Sequence, residues 1–332
     1  MGTITALDKS RVCLSPFVGR IRAAGAIVRA AGAAVLAGGV FLPGASAQVL
    51  SIPARADRVL LAATAVDGKG RPVRDLKANE VRIFEEGKPQ ALAHFTTARD
   101  LRARVLLLVD ASGSMNEELK TTSSRMAARQ VLAALGPEDE TALAGFDSEY
   151  WGIVPFTRDR ARIEKGLEDI APFGSTALHD ALDKAARDIA AHGEGRRAVV
   201  VITDGIDTSS QRKAEDVIAR SRALDVPIYA VSVISPLDDP SSKEFLGKRS
   251  AGEAALASAV LARYAALSGG AAFTVSDFGA LKRAAEQIAN ELKTQYRLGY
   301  DPPVGPSRFR KVQVKTTRKG VVVRTRSGYV PS

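Results

Sequence analysis

The sequence predicts an α/β protein with a doubly wound, mostly parallel sheet, accompanied by a smaller β domain. From residue 105 onward, apolar runs of strand length alternate with segments whose apolar residues recur at helical spacing. Before residue 100 and after residue 296, short strand-like segments separated by turn residues predominate instead. This change of pattern divides the chain into a central α/β unit and two flanking β segments.

The composition excludes several classes of protein. The chain has 332 residues, 45% of them hydrophobic and 25% charged, which suits a globular protein and excludes wholesale disorder. Cys13 is the only cysteine, so a disulfide framework and a cysteine-based metal centre are both excluded. The three histidines, His94, His179 and His192, are far apart and lack the spacing of a transition-metal site.

The positive net charge of +10 is concentrated at the two ends of the chain. Residues 1–47 contribute +4 and residues 297–332 contribute +8, so the middle of the chain carries only −2. Because nucleic-acid-binding proteins usually spread basic residues over their main domain, we do not expect nucleic acid as a partner.

The N-terminal segment has the pattern of an export signal. Arginines up to Arg29 precede the uncharged apolar stretch 30–42, and the small-residue sequence Ala45-Ser46-Ala47 follows. Residues 1–47 are therefore predicted to be cleaved, which gives a secreted or periplasmic protein with no stable membrane span. An uncleaved N-terminal anchor is the alternative, although the Gly and Pro residues that it must include make a poor spanning helix.

The central unit, residues 102–293, is predicted from strands and helices that alternate. Residues 105–110 form a continuous apolar run, which is typical of a parallel strand buried on both faces. The other predicted strands are 141–146, 150–156, 198–203, 227–233 and 271–275. The predicted helices are 117–135, 160–170, 177–191, 213–224, 252–267 and 278–292. Residues 235–250 are predicted to be a long loop.

The flanking segments are expected to form one domain together. Strands are predicted at 58–66, 80–85 and 91–96 before the central unit, with a turn at 87–89, and at 310–316 and 321–326 after it. Each segment alone is too short to enclose a core. We therefore expect residues 56–98 and 296–332 to build one β sandwich into which the α/β domain is inserted.

Three polar loops are predicted to meet at one edge of the central sheet. The first strand ends in the motif D-x-S-x-S, residues 110–114; residues 174–177 open a helix; and residues 203–205 follow another buried strand. Ligand sites of open α/β sheets lie at the carboxyl ends of the strands. The candidate ligands are Asp110, Ser112, Ser114, Thr176 and Asp204. Two carboxylates among hydroxyls suit Mg²⁺, with Mn²⁺ or Ca²⁺ as alternatives, and leave a nearly neutral site that still attracts a further carboxylate.

Each motif alone has an ordinary explanation as an Asx turn or a helix cap. In this order and at these strand ends, the residues resemble the metal-ion-dependent adhesion site of the von Willebrand factor A domain family. The resemblance covers residues 102–293 and implies a six-stranded sheet and a metal completed by a carboxylate of a partner. It also implies that Ser112 and Ser114 bind the metal directly, that Asp110 and Asp204 bind it directly or through water, and that Thr176 binds depending on conformation.

A narrower resemblance extends over the rest of the chain. Residues 67–73, 81–90, 296–300 and 326–329 look like segments of the VWFA-related proteins common in Acidobacteria. This group defines no function beyond the adhesion-type site. Where the family often has Tyr, this chain has His179, which we expect beside the site and not as a ligand.

The preferred function is a non-enzymatic, metal-dependent protein-binding module that captures an Asp or Glu of a partner outside the cytoplasm. A metal-assisted hydrolase is one alternative, but the sequence offers no His base, no Ser-His-Asp arrangement and no second metal cluster. An ATPase-linked chelatase subunit conflicts with the missing P-loop and with the export signal. The basic C-terminal strands suggest another alternative, binding of an envelope polymer.

We predict that N-terminal sequencing of the native protein gives a first residue near Gln48, because the small-residue site ends at Ala47. The sample is the protein purified from its source cells, after fractionation. An intact Met1 or Gly2 in a cytosolic fraction would contradict export.

Overall fold

The computed structural model describes residues 58–97, 102–116, 118–193, 195–233 and 251–331. The predicted export signal and the predicted loop 235–250 lie outside these residues. The strands are β1 (Val59–Asp67), β2 (Val81–Glu85), β3 (Lys88–Gln90), β4 (His94–Thr97), β5 (Ala103–Asp110), β6 (Glu140–Phe146), β7 (Tyr150–Thr157), β8 (Arg196–Thr203), β9 (Ile228–Val233), β10 (Ala272–Val275), β11 (Tyr296–Tyr300), β12 (Arg310–Thr316), β13 (Val321–Thr325) and β14 (Gly328–Tyr329). The helices are α1 (Glu118–Ala134), α2 (Arg160–Glu168), α3 (Leu178–Ala191), α4 (Ala214–Leu224), α5 (Ala251–Ser268) and α6 (Phe278–Lys293).

The central sheet has six strands in the order β10-β9-β8-β5-β6-β7, and all are parallel except β7, which pairs antiparallel with β6. Side chains of β5 alternate between the two faces. Leu107 packs with α1, α2 and α6, and Leu106 and Leu108 pack with α3, α4 and α5. The predicted doubly wound, mostly parallel α/β fold is therefore confirmed. Among the described residues, no helix combines the length and the apolar character needed to cross a membrane.

Both flanking segments contribute strands to two antiparallel sheets, in the orders β13-β1-β11-β4 and β14-β12-β2-β3. Their facing side chains share one apolar core that includes Leu61, Ile83, Tyr296, Leu298 and Val312. In the first sheet, neighbouring strands come alternately from the two flanking segments, and in the second sheet the segments meet where β12 pairs with β2. For example, Leu61 of β1 pairs with Leu298 of β11.

Three local predictions in these sheets were wrong. Residues 87–89 were predicted as a turn, but Lys88–Gln90 is an edge strand that pairs with β2, a position where Pro89 needs no hydrogen bond. The strand predicted at 91–96 is shorter and lies at His94–Thr97. Tyr296–Tyr300 was not predicted as a strand, yet it pairs with both β1 and β4.

Two buried ion pairs join the β sheets to the α/β unit. Glu291 of α6 is fully buried and accepts hydrogen bonds from Arg324 of β13 and from Gln287, one turn earlier on its own helix. Asp225, which ends α4, accepts hydrogen bonds from the backbone N–H of Ala62 at 3.0 Å and from Arg297 at 3.1 Å. These contacts hold the β sheets against the α/β unit.

The substitution Arg324→Met is expected to lower the free energy of unfolding by about 3–5 kcal/mol, because it leaves the Glu291 carboxylate buried without its counter-charge. Urea denaturation followed by circular dichroism measures this change. The exposed Arg308→Met serves as the control and should change stability by less than about 0.5 kcal/mol. Equal stability of the two variants would contradict the assigned role of the Glu291–Arg324 pair.

Candidate metal centre

Asp110 ends the central strand β5, and its carboxylate is buried. One carboxylate oxygen, Oδ1, accepts the backbone N–H of Ser112 at 2.9 Å, which closes an Asx turn. The other oxygen, Oδ2, accepts the hydroxyl of Thr203 at 2.5 Å, and Thr203 ends the neighbouring strand β8. The Thr203 oxygen in turn accepts the backbone N–H of Gly205 at 2.9 Å. The ends of two parallel strands are thus joined through one carboxylate.

Asp204, the residue after Thr203, brings a second buried carboxylate to the same strand ends. Loss of hydration raises the pKa of the Asp110 carboxyl to about 6, and repulsion by Asp204 adds to this effect. Gly205 completes the turn with φ +86°, a conformation suited to glycine, and a Cβ at this position would lie only 2.9 Å from Leu261 of α5. The two carboxylates therefore create a concentrated negative charge that attracts a cation.

Ser112 and Ser114 place their hydroxyl oxygens 3.1 Å apart in the turn that follows β5. Ser112 is buried, whereas Ser114 is exposed, so the cluster opens towards solvent on this side. In the same turn, the backbone N–H of Gly113 donates to the carbonyl of Gly174 at 2.9 Å. A Cβ at position 113 would lie 3.0 Å from that carbonyl oxygen, so glycine permits this close approach.

Thr176 lies on the loop that Gly113 contacts, and it is buried. Its backbone N–H donates to the hydroxyl of Thr208 at 2.9 Å, and its carbonyl accepts the N–H groups of Thr208 and Ser209. The loop carrying Thr176 is therefore bonded both to the turn after β5 and to the loop after β8. The structure brings together all three loops that the sequence singled out.

Lys120 is a buried residue of the site that the sequence did not indicate. It lies in the first turn of α1, and its Nζ is 3.6 Å from Asp204 Oδ2, with 5% of the lysine side chain exposed. A lysine on a helix is ordinarily solvated, so only the tertiary structure reveals this contact. We expected a nearly neutral site from two carboxylates and one divalent ion. The charge of Lys120 was not included in that expectation and adds one positive charge to the site. Thr203 was also missed, although it directly precedes Asp204.

His179 lies beside the cluster at the start of α3. Its Nδ1 is 2.8 Å from the hydroxyl of Tyr264 and 3.5 Å from Asp207 Oδ2, and its backbone N–H donates to the same Asp207 oxygen at 3.0 Å. Burial raises the pKa of the Tyr264 hydroxyl. The imidazole is thus part of a packing contact between α3, α5 and the loop after β8.

Residues 105–206 match the model of the von Willebrand factor type A domain. The chain contains a von Willebrand factor type A (VWA) domain. The matched residues run from β5 to the turn after β8, so they include Asp110, Ser112, Ser114, Thr176 and Asp204.

Solved structures similar to this chain include the conserved hypothetical protein BatB from Bacteroides thetaiotaomicron. It is 19% identical over 57% of this chain and 99% of that protein, with a TM-score of 0.45. A von Willebrand factor type A protein from Catenulispora acidiphila is 11% identical over 83% of this chain and 75% of its own, with a TM-score of 0.48. The PilB minor pilin from Streptococcus sanguinis is 14% identical over 58% of this chain and 62% of its own, with a TM-score of 0.42.

The oxygen atoms of the candidate metal centre fit a hard divalent cation such as Mg²⁺. The candidate ligands are all oxygens, and burial together with mutual repulsion of Asp110 and Asp204 favours a positive ion between them. The described residues contain no group of three or more His, Cys, Asp or Glu side chains arranged to hold a metal. Two carboxylates and several hydroxyls thus leave room for water or an outside ligand in an octahedral shell.

The substitution Asp110→Asn is expected to stabilise the metal-free protein by about 1–3 kcal/mol at pH 7.5, because it removes one of two repelling buried charges. In EDTA, the wild type should gain stability as the pH falls from 7.5 to 5. The reason is that the pKa of about 6 in the folded state exceeds that of the unfolded chain, so the folded state takes up the proton first.

Urea denaturation in EDTA at both pH values measures these effects. The exposed Asp169→Asn is the control and should behave as wild type. An Asp110→Asn protein that is less stable than wild type at pH 7.5 would show that the Asp110 charge supports the metal-free fold.

Proposed function

We propose that the chain is an exported, non-enzymatic binding module whose VWA domain holds a divalent cation and captures an acidic residue of a partner protein. VWA domains generally mediate protein interactions, which supports a protein-binding function. The proposal of a bound cation and an acidic ligand rests on one observation. Asp110 and Asp204 are two buried carboxylates at the carboxyl edge of the sheet, next to a pair of serine hydroxyls, one of which is exposed.

The residues of the site have distinct roles in this proposal. Ser112 and Ser114 offer neutral oxygens, while Asp110 and Asp204 supply negative charge and Thr176 offers a further hydroxyl. A bound Mg²⁺ would supply the positive charge that attracts a carboxylate of the partner. Because hydroxyls are weak ligands, affinity for metal alone should be modest, and metal and partner should each strengthen the binding of the other.

A hydrolytic role gains little support from the described residues. General acid–base catalysis most often uses His. The ring of His179, the histidine beside the site, contacts Tyr264 and Asp207. His192 packs against Phe156, and its Nδ1 lies 2.7 Å from the carbonyl oxygen of Asp188. We therefore prefer binding to catalysis.

The basic residues of the C-terminal strands form ion pairs within the chain, which favours a structural role over polymer binding. Five of the nine basic residues between 297 and 332 pair with acidic side chains of this chain. The pairs are Arg297–Asp225, Arg310–Glu85, Arg318–Asp75, Arg318–Glu80, Arg324–Glu291 and Arg326–Asp225. Most of the positive charge in this segment is thus compensated internally and does not form a patch for an anionic polymer.

Metal-dependent capture is tested by a pull-down from envelope extract with the tagged protein in Mg²⁺ and in EDTA. We expect partners to be retained in Mg²⁺ and lost in EDTA, and lost in both conditions for Asp110→Ala, which removes a charge and the anchor of the turn. Calorimetric titration of Mg²⁺ or Mn²⁺ into the same variants measures the metal affinity directly.

Thr176→Ala should weaken retention of partners more than it weakens metal binding, because the hydroxyl is one of several neutral ligands. The exposed Glu164→Ala on α2 is a matched control for loss of one carboxylate. Equal retention of partners in EDTA and in Mg²⁺ would show that the site is not the working surface.

A further inference from the structure

Lys120 supplies a fixed positive charge within the candidate metal centre. Its Nζ lies 3.6 Å from Asp204 Oδ2, and 5% of the lysine and 1% of the aspartate side chain are exposed. This separation is that of an ion pair and exceeds the length of a direct charge-assisted hydrogen bond. The lysine therefore acts on Asp204 mainly through its charge.

Asp204 stabilises the buried charge of Lys120. The lysine occupies the first turn of the 17-residue helix α1, where the helix dipole already contributes positive potential. A buried cation at this end of a helix is disfavoured unless a nearby anion compensates it. Asp204 lies on the loop after β8, so the pair joins two of the elements that form the site.

The charge balance of the site changes once Lys120 is included. In the absence of metal, Asp110 and Asp204 carry two negative charges, and Lys120 neutralises one of them. A divalent cation added to this cluster leaves one positive charge in excess. A single carboxylate from outside restores neutrality, whereas a neutral carbonyl or water does not.

We infer that Lys120 makes the proposed metal site selective for an anionic ligand, because it opposes binding of the cation alone and favours binding of the cation together with a carboxylate. This inference rests on the proposed function. Without the lysine charge, two carboxylates and a divalent cation would balance, and a partner carboxylate would add an uncompensated negative charge.

The test compares Mn²⁺ binding to the wild-type chain and to Lys120→Met, which keeps most of the length of the side chain and removes its charge. Calorimetry in chloride should show Mn²⁺ binding to Lys120→Met that is tighter by at least about 10-fold, because a positive charge several ångströms from a divalent ion repels it strongly at an effective dielectric constant of about 20. The exposed Lys319→Met, in the turn between β12 and β13, removes the same charge elsewhere and should bind Mn²⁺ as wild type does.

A second measurement uses acetate as the carboxylate probe. Replacing chloride with acetate at constant ionic strength should tighten Mn²⁺ binding to wild type by about fivefold. The gain should be smaller for Lys120→Met, after correction for the complex of acetate with Mn²⁺ in buffer. Lys120→Gln, which keeps a polar side chain without the charge, should follow Lys120→Met and provides a second variant if the methionine protein does not fold.

Stability gives an independent readout. In EDTA, Lys120→Met should have a lower melting temperature than wild type, because Asp110 and Asp204 lose their counter-charge, and Mn²⁺ should raise this temperature more in the variant than in wild type.

The outcomes separate the inference from the proposed function. A wild type that binds no Mn²⁺ in calorimetry would overturn the proposed function and the inference together. A wild type that binds Mn²⁺, with equal or weaker binding to both Lys120 variants, would overturn the inference alone. An equal acetate effect in wild type and Lys120→Met would likewise show that the lysine does not select the anion.

Discussion

Two buried carboxylates at the ends of adjacent strands are the constraint around which the site of this VWA domain is built. Asp110 and Asp204 repel each other, and their surroundings supply compensation from several directions. The Thr203 hydroxyl and the Ser112 N–H donate to Asp110, and the Lys120 ammonium lies next to Asp204. A site arranged in this way accommodates negative charge at a cost in stability, as functional sites often do.

The fold of the central unit could be predicted because its signals are local. A continuous apolar run is the normal consequence of a parallel strand covered on both faces, and β5 shows it from Val105 to Val109. The positions of Asp110 and Asp204 followed from the same reasoning, since strand ends of a parallel sheet share one edge. Lys120 could not be found in this way. Its burial depends on a loop more than 80 residues further along the chain.

The strands that were missed in the two antiparallel sheets also depend on contacts that the local sequence does not show. Tyr296–Tyr300 is a strand because β1 and β4 lie on either side of it and its apolar side chains enter the shared core. Short strands of this kind owe their conformation to pairing partners and little to their own sequence. The edge strand Lys88–Gln90 contains a proline, a residue that argues against a strand until its position at the edge is known.

The pairing of β1 with β11 has a consequence for how the protein folds. Val59 and Tyr300 are partners although 240 residues of chain separate them, so closing this contact from an unfolded chain is entropically costly and slow. The VWA domain contains its own parallel sheet and both helical layers, and its formation brings its two ends to the strands that flank it. The VWA domain is therefore expected to fold first and the sandwich last. Strands β1 to β4 are the first described strands to be synthesised. Their edges that pair with β11, β12 and β13 would then stay unpaired until residues 296–332 have been synthesised.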